Sequence, residues 1–235
     1  MTGGGAAPSV AAVVPAAGRG ERLGAGAAKA LLPLRGEPML VHAVRALAAS
    51  QVELVVVAAP PGEVVAVEAL LAGTEGAGVS VVAGGASRSD SVRRALAALP
   101  PSVRVVLVHD AARPLVPVAL VDSVVAAVQA GADAVVPGVP VTDTVKQVDG
   151  DDLVRATVDR TSLRAVQNPQ GFRRETLDEA YAGSAADATD DAGHVEARGG
   201  RVVVVPGSEE AFKVTRPLDL LLAEAVLAGR EPLGG

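Results

Sequence analysis

Short valine-rich runs recur along the chain and alternate with stretches whose apolar residues return every three or four positions. The runs at 10–14, 53–58, 79–82, 103–109 and 134–137 have strand length and little polar alternation, so they predict strands covered on both faces. Between them the spacing predicts helices over 38–50, 62–71, 89–99 and 117–130. In the third, Val92, Ala95, Leu96 and Leu99 share one face while Arg93 and Arg94 point away. Pro38 and Pro117 suit a first helical turn, where a missing N–H costs nothing. Strand and helix in regular alternation predict βαβ units, hence an α/β fold with a mostly parallel sheet flanked by helices.

After Pro140 the pattern changes. Residues 141–158 read as two polar-alternating strands around Asp149-Gly150, a hairpin turn signal. A strand pair that polar buries no face of its own, so it is expected to pack against something else, with a second copy of the chain as its partner. The chain then returns to the main fold: a loop through Pro169, helices over 175–182 and 190–198, a strand over 201–205 and a last helix over 217–228. Residues 1–8 and 231–235 read as loose tails. With 235 residues and no internal repeat, one large domain is expected, carrying an arm at about 141–166.

Composition narrows the function. An apolar share of 49% rules out a disordered chain. A net charge of −6, with no basic stripe interleaved with aromatics, argues against nucleic-acid binding, so any field that attracts phosphate must be local. There is no cysteine, and His42, His109 and His194 show no metal-ligand spacing. No apolar run reaches the roughly 18 residues of a membrane span. Residues 10–17 lack the basic flank of a signal peptide and lead into a glycine-rich loop, which predicts a cytoplasmic protein.

That loop, Pro15-Ala16-Ala17-Gly18-Arg19-Gly20-Glu21-Arg22-Leu23-Gly24, follows the first strand directly. Glycines there let backbone N–H groups approach a phosphate chain. A dinucleotide fold wants its third glycine one residue earlier and an acidic residue closing the second strand, where this chain has Val57-Ala58-Ala59-Pro60. A P-loop wants Gly-Lys followed by Ser or Thr, which is absent. The remaining reading is a nucleotidyltransferase loop with Arg22 and a following lysine, Lys29. Attack on an α-phosphorus spreads negative charge over phosphate oxygens and the leaving pyrophosphate, and pre-placed cations stabilise it.

Other strings are individually ambiguous. In Gly84-Gly85-Ala86-Ser87-Arg88-Ser89-Asp90-Ser91 the hydroxyls read first as helix caps, and alternatively Gly85 and Ser91 line a base and ribose pocket. His109-Asp110-Ala111-Ala112-Arg113-Pro114 closes the fourth strand, where open α/β sheets bind ligands. There Asp110 can orient a metal–phosphate group or a ribose and Arg113 can grip phosphate, or the two can form a structural pair. His109 reads as a packed strand residue. Thr189-Asp190-Asp191 can be a helix cap alone, and Lys213 falls on a short strand before the last helix.

Taken in order, these strings resemble the 2-C-methyl-D-erythritol 4-phosphate cytidylyltransferases of the non-mevalonate isoprenoid route. The likeness rests on residues 15–24 with Lys29, Gly84-Gly85 with Ser91, 109–114, Asp143-Thr144, Val158-Asp159-Arg160, Pro169-Gln170, Thr189-Asp190 and 213–217. It implies a single Rossmann-like nucleotidyltransferase domain whose protruding β-arm interlocks a homodimer, with CTP as co-substrate and Mg²⁺ as cofactor. By position it implies Arg22 and Lys29 as stabilisers of the transition state. Arg160, reaching in from the partner subunit, and Lys213 position the sugar phosphate. Asp110, Arg113, Thr144 and Thr189 make further acceptor or metal-side contacts, Asp110 being the metal candidate. Ala16, Ala17, Gly85 and Ser91 form the cytidine pocket, with Gly18 and Gly20 in the loop that holds the nucleotide. The chain departs from the family pattern at Ala30-Leu31, Ala86 and Asn168. The nearest rival is a ribitol 5-phosphate cytidylyltransferase. A nucleotide-sensing protein on the same scaffold is opposed by Arg22, Lys29 and Lys213, because sensing needs no cations at a reacting phosphorus.

Overall fold

The computed structural model describes residues 9–18, 29–182 and 190–230. The first strand, β1 (Val10–Pro15), is built of small and β-branched residues and is buried almost throughout. A two-rung hairpin, β2 (Pro33–Leu34) and β3 (Glu37–Pro38), turns through Arg35 and Gly36, both with positive φ. That is the backbone a two-residue hairpin loop requires. Then come α1 (Met39–Ala48), β4 (Leu54–Ala59), α2 (Val64–Leu71), β5 (Gly78–Ala83), α3 (Arg88–Ala97), β6 (Val105–Val108), α4 (Val118–Gln129) and β7 (Ala134–Pro140). The arm strands are β8 (Val145–Val148) and β9 (Val154–Val158), and the chain re-enters through β10 (Arg164–Val166) and β11 (Gln170–Arg173). It ends with α5 (Arg174–Ala182), α6 (Asp191–Glu196), β12 (Val202–Pro206) and α7 (Pro217–Arg230).

The central sheet runs β5–β4–β1–β6–β11–β7, and β7 pairs also with β10 and β12. β12 lies parallel to β7 along 134–138, so β11 and β10 share the other edge of β7, and these two alone run antiparallel. The expected mostly parallel sheet with helices on both faces is therefore what forms. Side chains along β1 divide by parity. Val10, Ala12 and Val14 pack with α1, α2 and α4, while Ala11 and Val13 pack with α3, α5 and α6. A third cluster, Leu34, Met39, Leu115, Val214 and Ala223, seats α7.

Several expectations need correction. Pro38 and Pro117 sit one place before their helices as N-caps with extended backbone, not in the first turn. The loop through Pro169 continues into a strand, β11, that fills the gap between β6 and β7. Its sequence Gln-Gly-Phe-Arg has one large apolar residue and no alternation to announce it. Phe172 is nevertheless fully buried, a burial that stabilises by about 1.5–3 kcal/mol. Gly171 is needed there, because a Cβ at that place would sit 2.5 Å from Val124 Cγ1 of α4. Lys213 lies in a segment, 212–215, without regular structure, held by the Val214 N–H donating to the Ala112 carbonyl.

The arm forms a separate two-stranded sheet. Its turn is a five-residue loop, 149–153, in which Asp149 Oδ1 accepts from the N–H groups of Asp151 and Leu153, both at 3.0 Å. Val148, Leu153 and Val154 are exposed. The chain leaves the main sheet at Pro140 and rejoins it at Arg164, which pairs with Pro140 itself. Among the described residues no helix is long and apolar enough to cross a membrane.

Candidate active site

The carboxyl ends of β1, β4, β5 and β6 share one rim of the sheet, because these strands are parallel. β11 runs the other way and delivers Asn168 and Gln170 to the same rim. Two neighbourhoods form along it.

The first lies beyond β1 and β5. The Ala16 N–H donates to the Ala58 carbonyl at 2.9 Å, and the Gly84 N–H to the Ala59 carbonyl at 2.7 Å. A Cβ on Gly84 would lie 2.5 Å from the Ala17 methyl, and one on Gly85 2.2 Å from Asp90 Cβ. Both glycines are thus demanded by close packing. Ser87 caps α3 by accepting from the Asp90 N–H at 3.0 Å, so the capping reading holds for that hydroxyl. Ser91, buried, accepts from the Gly85 N–H at 3.1 Å and donates to the Ser87 carbonyl at 2.9 Å. Its only hydrogen is therefore committed, and it faces any ligand as an acceptor. Gly18 is exposed at the end of the β1 loop, and Lys29 opens a 3-10 turn, Lys29–Leu31, partly buried. Arg22 and Gly20 lie outside the described residues.

The second neighbourhood is a cavity of about 290 Å³ walled by Arg88, Asp110, Arg113, Asn168, Gln170 and Lys213, among others. Asp110 Oδ1 accepts from Arg88 Nη2 at 3.1 Å and from Nε at 3.3 Å, and Oδ2 accepts from Lys213 Nζ at 2.7 Å. Burial alone would raise the Asp110 pKa, but the adjacent Arg88 and Lys213 cations outweigh it and hold the carboxyl well below the usual range. Arg88 is itself anchored by Asp191, whose side chain is wholly buried: Nη1 reaches Oδ1 at 2.9 Å and Nη2 reaches Oδ2 at 2.7 Å. Tyr181 Oη donates to Asp191 Oδ1 at 2.5 Å.

Asp190 caps α6 through the Gly193 N–H at 3.0 Å, as one reading of that string expected, and its other oxygen accepts from Gln170 Nε2 at 2.7 Å. Gln170 Oε1 accepts in turn from the Ala192 N–H at 2.9 Å, so one buried amide ties β11 to α6. Asn168 donates to the Val108 carbonyl at 3.2 Å.

Arg113 lies on the cavity wall with its guanidinium turned to backbone. Nη1 donates to the Ala211 carbonyl at 2.6 Å and Nη2 to the Val166 carbonyl at 3.4 Å. It acts here as a strut between segments. His109 is fully buried and its Nε2 pairs with the Arg113 carbonyl at 3.2 Å. Burial pushes its pKa down to about 4 against the pull of Asp110, which keeps the ring neutral at physiological pH and matches its reading as a packed residue.

Thr144 and Arg160 are exposed on the arm, where Arg160 Nη1 donates to the Thr142 carbonyl, and neither lines the cavity of this chain. Thr189 lies outside the described residues. Asp110 and Arg113, three residues apart on one loop, are joined by Lys213, 103 positions beyond Asp110. Arg88, Asp191, Tyr181 and Gln170 complete the cluster without having been assigned roles from sequence. Arg88 and Asp191 stand 103 residues apart, so no local pattern could join them.

Metal binding by these side chains alone does not fit. Both Asp110 oxygens are taken by cations, and no group of three or more His, Cys, Asp or Glu is placed to hold an ion among the described residues. A larger depression of about 510 Å³ lies between α1 and α7, but its two arginines are already paired, Arg45 with Glu37 and Arg230 with Glu210. The rim cavity is the better site, because it gathers charged groups from segments far apart in sequence at the ligand-binding edge of the sheet.

Comparison with known proteins identifies the family. The family model described as 2-C-methyl-D-erythritol 4-phosphate cytidylyltransferase (IspD) matches residues 10–229. A protein of that name from Streptomyces avermitilis is 60% identical over 230 residues, covering 94% of this chain and 92% of its own. One from Streptomyces coelicolor is 61% identical over 230 residues, covering 94% and 85%. Among solved structures, that of the Thermus thermophilus 2-C-methyl-D-erythritol 4-phosphate cytidylyltransferase superposes with a TM-score of 0.76 at 38% identity, covering 94% of this chain and 99% of that one. The 4-diphosphocytidyl-2C-methyl-D-erythritol synthase of Anaerococcus prevotii gives 0.82 at 25% identity, covering 94% and 98%. With the family model matching residues 10–229 and relatives about 60% identical along nearly the full length, this chain belongs to the 2-C-methyl-D-erythritol 4-phosphate cytidylyltransferase family.

Proposed function

We propose that this chain transfers the cytidylyl group of CTP to 2-C-methyl-D-erythritol 4-phosphate, giving 4-diphosphocytidyl-2-C-methyl-D-erythritol and pyrophosphate. The observation that carries the reading is the meeting of Lys213 and Asp110 at 2.7 Å on the sheet rim, beside Arg88. An acceptor phosphate oxygen attacks the α-phosphorus in line, and the bond from that phosphorus to the β-phosphate oxygen breaks. The attacking phosphate is already ionised, so no general base is required and no covalent enzyme intermediate forms. Catalysis is then positioning and charge stabilisation.

In this reading Arg22 and Lys29 stabilise charge at the α-phosphate. Ala16, Ala17, Gly18, Gly20, Gly85 and Ser91 hold the nucleotide, with Ser91 as an acceptor towards the base. Lys213 takes the acceptor phosphate, exchanging its contact with Asp110 for one with substrate, while Arg113 keeps the wall in place. Thr144 and Arg160 serve the partner's site through the arm, and the exposed Val148, Leu153 and Val154 support a homodimer that covers them. Thr189 contacts the acceptor. Mg²⁺ would arrive with the triphosphate and would offset part of its charge. A cytoplasmic location suits the supply of CTP.

The test is pyrophosphate release from CTP and Mg²⁺ with 2-C-methyl-D-erythritol 4-phosphate and, separately, ribitol 5-phosphate. Release with the first acceptor is expected, and release with ribitol 5-phosphate alone would overturn the substrate. Arg22→Ala and Lys29→Ala should depress turnover on the order of a hundredfold or more, with CTP binding changed far less. Near-normal turnover in either variant removes that residue from its role.

A further inference from the structure

We infer that Gln167 is a positioning residue that holds Lys213 in register with Asp110, an inference that rests on the role given to Lys213 above. Gln167 joins β10 to β11 and is buried, 6% exposed. Its own N–H donates to the Pro137 carbonyl at 2.8 Å, which fixes its backbone to β7. Its side chain then pairs with one residue in both directions. Nε2 donates to the Ser208 carbonyl at 2.8 Å, and Oε1 accepts from the Ser208 N–H at 3.0 Å. Only an amide side chain can satisfy a donor and an acceptor of the same residue in this way.

The surroundings are shaped for that contact. A Cβ on Gly207 would lie 2.4 Å from Gln167 Oε1, and the Gly207 N–H donates to the Gly138 carbonyl at 2.9 Å. From Ser208 the path to the site is short. Ser208 Oγ caps the 3-10 turn Glu209–Ala211 through the Glu210 N–H at 3.3 Å. The Ala211 carbonyl accepts from Arg113 Nη1 at 2.6 Å, the Val214 N–H donates to Ala112 at 2.8 Å, and Lys213 lies between these two ties. Residues 212–215 have no regular structure, so the position of the Lys213 ammonium depends on such ties and on the burial of Ala211 and Val214. Gln167 secures the upstream end.

The experiment measures pyrophosphate release by the full chain, with each substrate varied while the other is saturating. Gln167→Leu and Gln167→Glu should raise the acceptor KM on the order of tenfold, because two buried hydrogen bonds are lost or one is replaced by a repulsion. The CTP KM should stay within about twofold, a split that general loosening of the fold would not produce. In a Lys213→Ala background, Gln167→Leu should add less than about twofold to the acceptor KM, since its route of action is already removed.

An unchanged acceptor KM, an equal rise in the CTP KM, or a fully additive effect on Lys213→Ala would each overturn the inference. If the Gln167 variants do not fold, Gly207→Ala presses on the same amide from the other side and should give the same split. A wild-type chain silent with CTP and both acceptors sinks the proposed function. An active wild type with unshifted variants sinks this inference alone.

Discussion

Asp191 offers a severe check on the physical account of the site. Its side chain has no exposed area, and its oxygens accept from Arg88 Nη1 at 2.9 Å, Arg88 Nη2 at 2.7 Å and Tyr181 Oη at 2.5 Å. Burial and the neighbouring carboxylate push the Tyr181 phenol well above its ordinary value, so it stays a donor. Asp191→Asn preserves shape but turns one acceptor into a donor pair. Whichever way the amide lies, N–H faces N–H or O–H. The milder orientation keeps Oδ1 and gives up the contact with Nη2.

Losing a charge-assisted hydrogen bond costs about 1.5–3 kcal/mol, and stripping one partner from a fully buried ion pair about 3–5. The Arg88 side chain is 39% exposed and keeps Asp110, so water and that second carboxylate recover part of the loss. The expected penalty is about 2–3 kcal/mol, which for a chain of this size lowers Tm by about 5–10 °C. Urea unfolding followed by circular dichroism should show a lower midpoint with an unchanged slope. In an Arg88→Met background the same substitution should cost less than about 1 kcal/mol, because the charge it strands is gone. A variant melting within about 1 °C of wild type, or an equal loss in both backgrounds, would refute the reasoning.

Two further outcomes follow from the same geometry. The His109 pKa falls from 6.5 to about 4 on folding, so between those pH values the unfolded chain binds a proton that the folded chain does not. Stability should be full above pH 6.5 and decline by up to about 3 kcal/mol as pH drops to about 4. His109→Gln should flatten that part of the Tm-against-pH curve, and a curve parallel to wild type would count against it. Gly171→Ala forces a methyl to 2.5 Å from Val124 Cγ1 and 3.1 Å from Val128 Cγ2, and should lower stability by about 1–3 kcal/mol. An unchanged urea midpoint would mean that α4 shifts freely against β11.

The parts of the fold that were legible in advance are those written in local periodicity. β1 and β4 are almost uninterrupted apolar runs, and α3 shows its buried face as Val92, Ala95, Leu96 and Leu99. Such patterns survive folding because each residue's burial is set by the twist of its own element. β11 was invisible for the opposite reason. It is held between β6 and β7 by ladders on both sides, and a strand so placed needs few apolar residues of its own. The arm's hairpin does turn at Asp149-Gly150, and the structure adds the loop's length of five residues, over which the Asp149 carboxylate draws in two backbone donors.

The sequence by itself determined the class of fold, the glycine turns at the strand ends, the family and, among the charged residues gathered at the rim, Asp110, Arg113 and Lys213. It could do so because those features are properties of short segments or of strings quoted whole. Only the tertiary structure decided which charges meet and what each is free to do. Lys213 faces Asp110, Arg88 is shared between Asp110 and the buried Asp191, and Arg113, on the cavity wall, braces two carbonyls. These pairings join residues up to 103 positions apart. Their energies depend on distance and on the exclusion of water, and neither exists until the segments have packed.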